Sequence, residues 1–169
     1  MKEKAKQFAL KAHHGQKYGE HDYSFHLQQV VATAEEFGLD EKMILACWLH
    51  DTMEDCGSTF EQLEKEFGKE VADMVFCVTD EPGKDRKERK LKTYPKIAAN
   101  EKALCVKLCD RIANLAQTMK DRKTGILEMY LREHTDFRAK LYHNRQGPKT
   151  LLLWEKLEKL VTEAQTLAR

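Results

Sequence analysis

The sequence of 169 residues predicts an all-α fold, a helical bundle formed as a single domain over residues 1–169. Only 8 glycines and 3 prolines occur, which disfavours a turn-rich β fold and leaves room for long helices. Charged residues make up 34% of the chain, as expected for helices with wide solvent-exposed faces. We expect no β-sheet.

The first two helices are predicted from turn formers at their ends. Residues 2–13 form a charged amphipathic helix, and residues 15–24 form a loop because they combine two glycines with turn-prone polar residues. The second helix begins near Ser24 and runs to Phe37, where Gly38 provides a C-terminal cap.

The third helix is predicted to lie in the core. Asp40 is its N-cap, and residues 43–49 are apolar without interruption, which is typical of a helix buried on all sides. Residues 58–61 (STFE) form a capping-box pattern that opens a short helix to Phe67, and a further helix covers residues 68–79.

Helices are also predicted in the C-terminal half. Residues 101–120 carry Leu104, Leu108, Ile112, Leu115 and Met119 on one face. Helical segments continue to the C-terminus, where the last apolar stripe consists of Leu151, Leu152, Leu153, Trp154, Leu157, Leu160 and Val161. This stripe could pack inside the chain or at the interface of a homodimer, and its sequence does not distinguish the two.

Charge and composition exclude several classes of protein. Lys and Arg total 29 and Asp and Glu total 28, so the basic surplus of a nucleic-acid-binding protein is absent. Apolar runs are too short to span a bilayer, and the first residues lack a signal-peptide core. We therefore expect a cytoplasmic protein with neither nucleic acid nor membrane as a partner. Five cysteines without a C-x-x-C pair predict reduced core residues.

Four residues stand out as candidate metal ligands: His26, the adjacent pair His50 and Asp51, and Asp110. Imidazole and carboxylate form a mixed ligand set that suits Mn, Fe, Co, Ni or Zn rather than calcium. The adjacent pair ends the most apolar helix, where the negative end of the helix dipole favours a cation. Glu54 and Asp55 follow closely, and so many acidic and imidazole groups at a buried helix end need partners.

Several strings of the sequence carry a resemblance to a known family. They are A-x-x-H-x-G-Q-K (loosely, residues 9–17), L-H-D-T-x-E-D (residues 49–55), the segment from Thr59 to Ala72, V-T-D (residues 78–80) and K-L-x-D-R-x-x-N-L (residues 107–115). Together they resemble the HD-domain phosphohydrolases and, among these, the RelA/SpoT-type alarmone hydrolases, including the single-domain small alarmone hydrolases. The resemblance covers roughly residues 5–120.

The resemblance implies a metal site and a reaction. The implied metal ligands are His26, His50, Asp51 and Asp110, with Mn²⁺ as the cofactor typical of the family. Glu54 and Asp55 would orient and activate the attacking water. The implied substrate is a small-molecule nucleotide, guanosine tetra- or pentaphosphate, from which pyrophosphate is released at the 3′ position. After residue 120 only about fifty residues remain, so we expect no linked synthetase domain.

Four residues are candidate substrate contacts: Lys17, Lys107, Arg111 and Asn114. The last three share one helix face with Asp110, although for Arg111 a solvated stripe is an equal alternative. By resemblance, Asn114 contacts the nucleoside, and Lys17 lies where the family carries an arginine against guanine. The basic run at residues 84–92 could bind a polyphosphate, but its interleaved acidic residues favour a solvated helix face.

The sequence departs from the family pattern around nucleotide recognition. The departures are Lys17-Tyr18-Gly19, Leu27 and Ala116-Gln117, and none of them belongs to the implied metal ligands. They leave open an HD hydrolase of another phosphorylated nucleotide, such as an adenine alarmone or the 2′-phosphate of NADPH. A non-catalytic nucleotide-binding regulator is a further alternative, against which the intact Glu54–Asp55 pair argues. A third alternative is an interaction module, in which the acidic cluster would have only a structural role.

Overall fold

The computed structural model describes residues 1–168, which form ten α-helices and one short β-hairpin. The helices are α1 Lys2–Ala12, α2 Tyr23–Glu36, α3 Glu41–Leu49, α4 Thr52–Cys56, α5 Phe60–Phe67, α6 Lys69–Val78, α7 Arg86–Ala98, α8 Glu101–Lys120, α9 Thr124–Leu141 and α10 Pro148–Leu167. The prediction of an all-α fold is confirmed.

The expectation of no β pairing is wrong over one short segment. Strands β1 (Lys17–Tyr18) and β2 (His21–Asp22) pair antiparallel within the predicted loop. The pairing forms because Gly19 adopts a φ of +60°, which allows a two-residue turn between the strands. This hairpin holds Tyr18 beside α2 and α8, where it contributes to the site described below.

Helix α8 lies at the centre of the bundle and packs against α2, α3, α6, α7, α9 and α10. The predicted apolar face is buried at Leu104, Leu108, Ile112 and Leu115. Burial extends well beyond this face, since Asp110 and Arg111 also lie below 8% exposure in the middle of the helix. Polar residues at the centre of a bundle need bonding partners, so the middle of α8 is where we look for a functional site.

Local signals set the ends of the neighbouring helices. The side chain of Asp40 accepts a hydrogen bond from the backbone N–H of Met43, and residues 43–49 are all buried, as predicted. Thr59 caps α5 by accepting from the N–H of Gln62, one residue later than the capping-box pattern implies. The backbone N–H of Ser58 donates instead to the carbonyl oxygen of Thr52, the first residue of α4.

The apolar face of α10 is buried inside the chain. Leu153, Trp154, Leu157 and Val161 pack against the rest of the bundle, whereas Leu152 points outward and is 51% exposed. Four of the seven residues of the predicted stripe are therefore buried within the chain. All five cysteines are free. Among the described helices, none combines the length and apolarity needed to cross a membrane.

Candidate active site

Three helices bring the four predicted metal ligands together at the centre of the bundle. His26 lies in the first turns of α2, His50 ends α3, Asp51 connects α3 to α4, and Asp110 lies halfway along α8. Both imidazoles are 1% exposed, and Asp110 is 7% exposed. The local chain explains the adjacent pair, because His50 follows the buried residues 43–49 of α3 and Asp51 begins the short helix that follows.

The donor atoms of these residues converge on one point. His26 Nε2 and His50 Nε2 are 3.4 Å apart, and Asp51 Oδ2 lies 2.9 Å from His50 Nε2. Asp110 Oδ1 lies 3.3 Å from His26 Nε2 and 3.6 Å from His50 Nε2. Ligand atoms around one ion with bonds of about 2.0–2.2 Å lie roughly 3 to 4 Å apart. His26, His50 and Asp51 therefore have the mutual spacing of ligands around a single cation, and Asp110 lies within 3.6 Å of both histidines.

The protonation pattern of His50 also suits a metal ligand. Its Nδ1 lies 2.8 Å from the carbonyl oxygen of Cys47, which can only accept, so the ring proton is on Nδ1. In the neutral ring, the lone pair of Nε2 then faces the cluster, the tautomer that metal-binding histidines use. Two nitrogen and two oxygen donors match a divalent transition metal better than calcium.

The electrostatics of the cluster favour a positive charge at its centre. Burial lowers the pKa of His50, but Asp51 and Asp110 outweigh it and raise the pKa well above its usual value. Burial raises the pKa of Asp51, but His50 lowers it further, and Asp110 is likewise shifted well below its usual range, by Lys107 and the two histidines against its burial. Both carboxylates therefore stay ionised, and a divalent cation would supply the positive charge that they favour.

A second layer of hydrogen bonds orients the carboxylates. The hydroxyl of Tyr23 donates to Asp51 Oδ2 at 2.5 Å. Asp110 accepts from Lys107 Nζ at 2.8 Å and from Asn114 Nδ2 at 2.5 Å, so both of its oxygens are held. The hydroxyl of Tyr18 donates to Asn114 Oδ1 at 2.9 Å, which extends this chain of bonds to the hairpin.

Aromatic rings complete the surroundings of the histidines. The ring of Tyr18 stacks on His26 at 4.8 Å between centroids, and the ring of Tyr23 stacks on His13 at 4.4 Å. Burial raises the pKa of both tyrosines above the usual value, and the nearby carboxylates raise it further. Both phenols therefore stay neutral and can act as hydrogen-bond donors.

Glu54 and Asp55 lie on α4 at the rim of a cleft next to the cluster. This main cleft has a volume of about 200 Å³ and is lined by His26, Asp51, Glu54, Asp55, Lys107, Asp110, Arg111 and Asn114 among others. Glu54 Oε2 accepts the backbone N–H of Asp80 at 3.0 Å, and Asp55 Oδ2 accepts from Gln16 at 2.8 Å. Both carboxylates are exposed and keep free lone pairs for water in the cleft.

Basic side chains from α7 and α8 line the main cleft as well. We refer to Arg86, Lys90 and Lys107 as the cationic wall. Lys90 Nζ pairs with the nearly buried carboxylate of Asp80 at 2.8 Å. Arg86 pairs with Glu133 on α9. A wall of cations facing a cluster that favours a metal ion is suited to binding a polyphosphate.

The predicted substrate contacts divide between two cavities. Lys107, Arg111 and Asn114 line the main cleft, whereas Lys17 lines a neighbouring second cleft of about 230 Å³ that shares Asn114 and Tyr130 with it. Lys17 Nζ pairs with Asp22 at 2.5 Å on the exposed hairpin. Arg111 is 6% exposed and is not part of a solvated stripe. A substrate contact by any of the four stays a prediction.

Several residues of the site are absent from the sequence-based expectation. They are Tyr18, Tyr23, Arg86, Lys90 and Tyr130. Of these, Arg86 and Lys90 belong to the basic run whose favoured interpretation was a solvated helix face. That interpretation holds for Lys87 and Lys92, which are exposed, while Arg86 and Lys90 face the cleft one helical turn apart. Basic residues at i and i+4 within the run were the available signal.

A helical bundle that gathers two histidines and two aspartates beside a carboxylate pair and basic side chains is typical of a metal-dependent phosphohydrolase. Comparison with known proteins agrees with this class. Residues 5–148 match the HD domain family, so the chain belongs to the HD domain family, as its motifs predict.

Relatives within this family are similar over most of the chain. Guanosine-3′,5′-bis(diphosphate) 3′-pyrophosphohydrolase MESH1 of Xenopus tropicalis is 28% identical over 156 residues, which cover 88% of this chain and 86% of that protein. The guanosine-3′,5′-bis(diphosphate) 3′-pyrophosphohydrolase of Aquifex aeolicus is 34% identical over 119 residues, 67% of this chain but only 17% of that protein. A solved structure described as a metazoan ortholog of SpoT that hydrolyzes ppGpp matches with a TM-score of 0.78 and 25% identity, covering 96% of this chain and 94% of that one.

Proposed function

We propose that this protein is a metal-dependent guanosine-3′,5′-bis(diphosphate) 3′-pyrophosphohydrolase that converts ppGpp and water to GDP and pyrophosphate. The observation that carries the proposal is the main cleft, in which His26, His50 and Asp51, with Asp110 close to both histidines, lie together with Glu54, Asp55 and the cationic wall. The similarity to MESH1 proteins over most of the chain supports the choice of nucleotide.

In the proposed mechanism, His26, His50, Asp51 and Asp110 hold one divalent cation, for which we propose Mn²⁺. A cation bound there would lower the pKa of a water ligand and withdraw charge from the phosphoryl group. Tyr23, Lys107 and Asn114 keep the two aspartates oriented through the hydrogen bonds described above.

Glu54 and Asp55 orient the attacking water and accept its proton. Their carboxylates are fixed by Asp80 N–H and Gln16, respectively, and each retains lone pairs toward the cleft. A carboxylate within hydrogen-bond reach of water acts as a general base. Water oxygen attacks the phosphorus bonded to the 3′ oxygen, and the bond between that phosphorus and the 3′ oxygen breaks. The 3′ oxygen of GDP takes up the proton that the carboxylate accepted from water, and pyrophosphate is released.

The cationic wall stabilises the charge of the transferred diphosphate. Lys107 stays protonated, because Asp110 and Asp51 raise its pKa and outweigh the lowering by burial. Arg86 provides a planar fork that matches phosphate oxygens. Fixed cations hold the diphosphate in the substrate and in the transition state alike, so we expect the cationic wall to contribute mainly to substrate binding.

The nucleoside would extend from the main cleft into the second cleft, which adjoins it at Asn114 and Tyr130. Lys17 and the aromatic ring of Tyr130 line this cavity, and both side-chain types bind purine rings or phosphates. Asn114 is already bonded to Asp110 and Tyr18, so we assign it a role in orienting Asp110 in addition to its nucleoside contact. We also propose a cytoplasmic location for the protein.

The test is turnover of the full chain, loaded with Mn²⁺, on ppGpp, with separation of the nucleotide products. We expect GDP and pyrophosphate in equal amounts. Asp51→Asn should abolish turnover, and Glu54→Gln should lower kcat by roughly 10²–10⁴-fold with metal still bound. Glu61→Gln, which alters an exposed carboxylate on α5, is the matched control and should keep full activity.

Other results would change the proposed function. Turnover of an adenine alarmone or release of phosphate from NADPH, without turnover of ppGpp, would retain the hydrolase chemistry and reject guanosine as the substrate. One bound metal per chain without turnover of any of these nucleotides would indicate a binding regulator. Purification without stoichiometric metal uptake would contradict the metal site itself.

A further inference from the structure

Glu133 on α9 holds two guanidinium groups that come from two other helices. Arg86, the first residue of α7, donates from Nε and Nη2 to the two carboxylate oxygens, and Arg111 of α8 donates from Nη1 at 2.9 Å. Burial raises the pKa of Glu133, but the bonds from both arginines outweigh it and lower the pKa. Glu133 is therefore an ionised carboxylate between two cations.

The two arginines differ in what else they contact. Arg111 is 6% exposed, donates from Nη2 to the carbonyl oxygen of Tyr130 at 3.1 Å, and lies 4.4 Å from the Tyr130 ring and 5.2 Å from the Phe137 ring. Its guanidinium is enclosed by protein groups. Arg111 therefore links α8 to α9 and helps to hold the Glu133 carboxylate in place.

Arg86 faces the main cleft with a side chain that is 38% exposed. A guanidinium has five N–H donors. Two of these five N–H groups, one on Nε and one on Nη2, donate to Glu133, so three remain for other acceptors. The side-on pairing fixes the plane of the guanidinium and thereby the direction of these remaining donors.

We infer that Glu133 is a positioning residue, which orients the Arg86 guanidinium toward the phosphate groups of the substrate in the main cleft. The inference rests on the proposed function, since it takes a polyphosphate as the ligand. A long flexible side chain loses rotamer freedom when it binds an anion, and holding it in place beforehand removes part of that cost. Glu133 itself does not touch the substrate.

Net charge alone predicts the opposite effect on polyphosphate binding, so the direction of the change tests the inference. Glu133→Gln removes one negative charge from the rim of the cleft, and by Coulomb's law alone a polyphosphate should then bind more tightly. If positioning dominates, the same substitution weakens binding, because Arg86 loses its charged partner and its fixed direction. The two explanations therefore differ in the direction of the change.

The experiment measures binding of inorganic pyrophosphate to the metal-loaded full chain by calorimetry, together with KM and kcat for ppGpp. Glu133→Gln should weaken pyrophosphate binding and raise KM by roughly tenfold while kcat changes by less than about twofold. Glu158→Gln is the matched control, because Glu158 also accepts from two basic residues, His134 and Arg138. This control should change neither quantity. Unchanged or tighter pyrophosphate binding in Glu133→Gln would overturn the inference.

A double-mutant cycle separates positioning from a general loss of structure. In an Arg86→Ala background, Glu133→Gln should add no further weakening, since there is no guanidinium left to orient. Arg86→Lys keeps the charge but lacks the fork of the guanidinium, so its pyrophosphate affinity should fall by about the same factor as that of Glu133→Gln. This variant tests the inference independently of how well Glu133→Gln folds. Additive losses in the cycle would contradict the inference. If the parent protein does not turn over ppGpp but the double-mutant cycle in pyrophosphate binding gives the expected result, the proposed nucleotide is rejected and the role of Glu133 is retained.

Discussion

Removal of one hydroxyl group should weaken metal binding without disturbing the fold. The Tyr23 hydroxyl donates to Asp51 Oδ2 at 2.5 Å, and the ring stacks on His13 at 4.4 Å. Tyr23→Phe keeps the ring and its packing and deletes only this hydrogen bond. Asp51 then loses the donor that orients its carboxylate toward the cluster.

The expected size of the effect follows from the type of bond. A hydrogen bond to a charged group contributes about 1.5–3 kcal/mol, which corresponds to roughly a 10- to 100-fold change in an equilibrium constant. Loss of a partner that orients a metal ligand typically lowers metal affinity by about the same 10–100-fold. We therefore expect the Kd for Mn²⁺ to rise by roughly one to two powers of ten.

Calorimetric titration of Mn²⁺ into the metal-free protein measures this change directly. Tyr142→Phe provides the control, because Tyr142 lies at the end of α9 against Trp154 and Arg138, away from the main cleft. Both variants should still unfold cooperatively in the absence of metal. An Mn²⁺ affinity in Tyr23→Phe equal to that of the parent protein would refute the reasoning.

Three further predictions follow from buried groups. Lys90→Met leaves the Asp80 carboxylate without its cation, next to the backbone N–H that holds Glu54, so kcat should fall by roughly tenfold in steady-state assays, and Lys90→Arg should recover part of it. Burial lowers the pKa of His134 below its usual value, so the unfolded chain binds more protons as pH falls below about 6.5, and the protein loses stability there. The melting temperature of the parent should therefore drop more than that of His134→Gln between pH 7.5 and pH 5.5, and equal drops would contradict the assignment. Trp154→Ala removes a ring that is 1% exposed, which should cost about 3–5 kcal/mol in urea unfolding; a loss below about 1 kcal/mol would show that the core can refill the space.

Much of the fold was predictable because helices depend on local interactions. Apolar periodicity predicted α8, an uninterrupted apolar run predicted the buried α3, and Asp40 caps α3 as expected. These signals involve residues within a few positions of one another. The short hairpin was missed because its two-residue strands are too short to show alternation, and only the positive φ of Gly19 makes them pair.

The residue types of the candidate metal cluster were also evident in the sequence. His50 and Asp51 are adjacent, so their proximity needs no tertiary contact, and Asp110 lies on a helix whose pattern is clear. That His26 and Asp110 reach the same point as this pair depends on how α2 and α8 cross α3. The motif predicted the set, and packing of the three helices produces the spacing between donor atoms.

Side-chain direction in the rest of the cleft depended on the tertiary structure alone. In the basic run, Arg86 and Lys90 face the main cleft while Lys87 and Lys92 face solvent, and the i, i+4 spacing of the first two indicates a shared helix face but not what that face meets. Glu133 is remote from Arg86 along the chain, so their pairing has no local signal. By itself the sequence determined the helices and the chemistry of the ligands, since both arise from neighbouring residues. Only packing of α7 and α9 against α8 decided which charges meet, because a helix face acquires its direction from the elements it packs against.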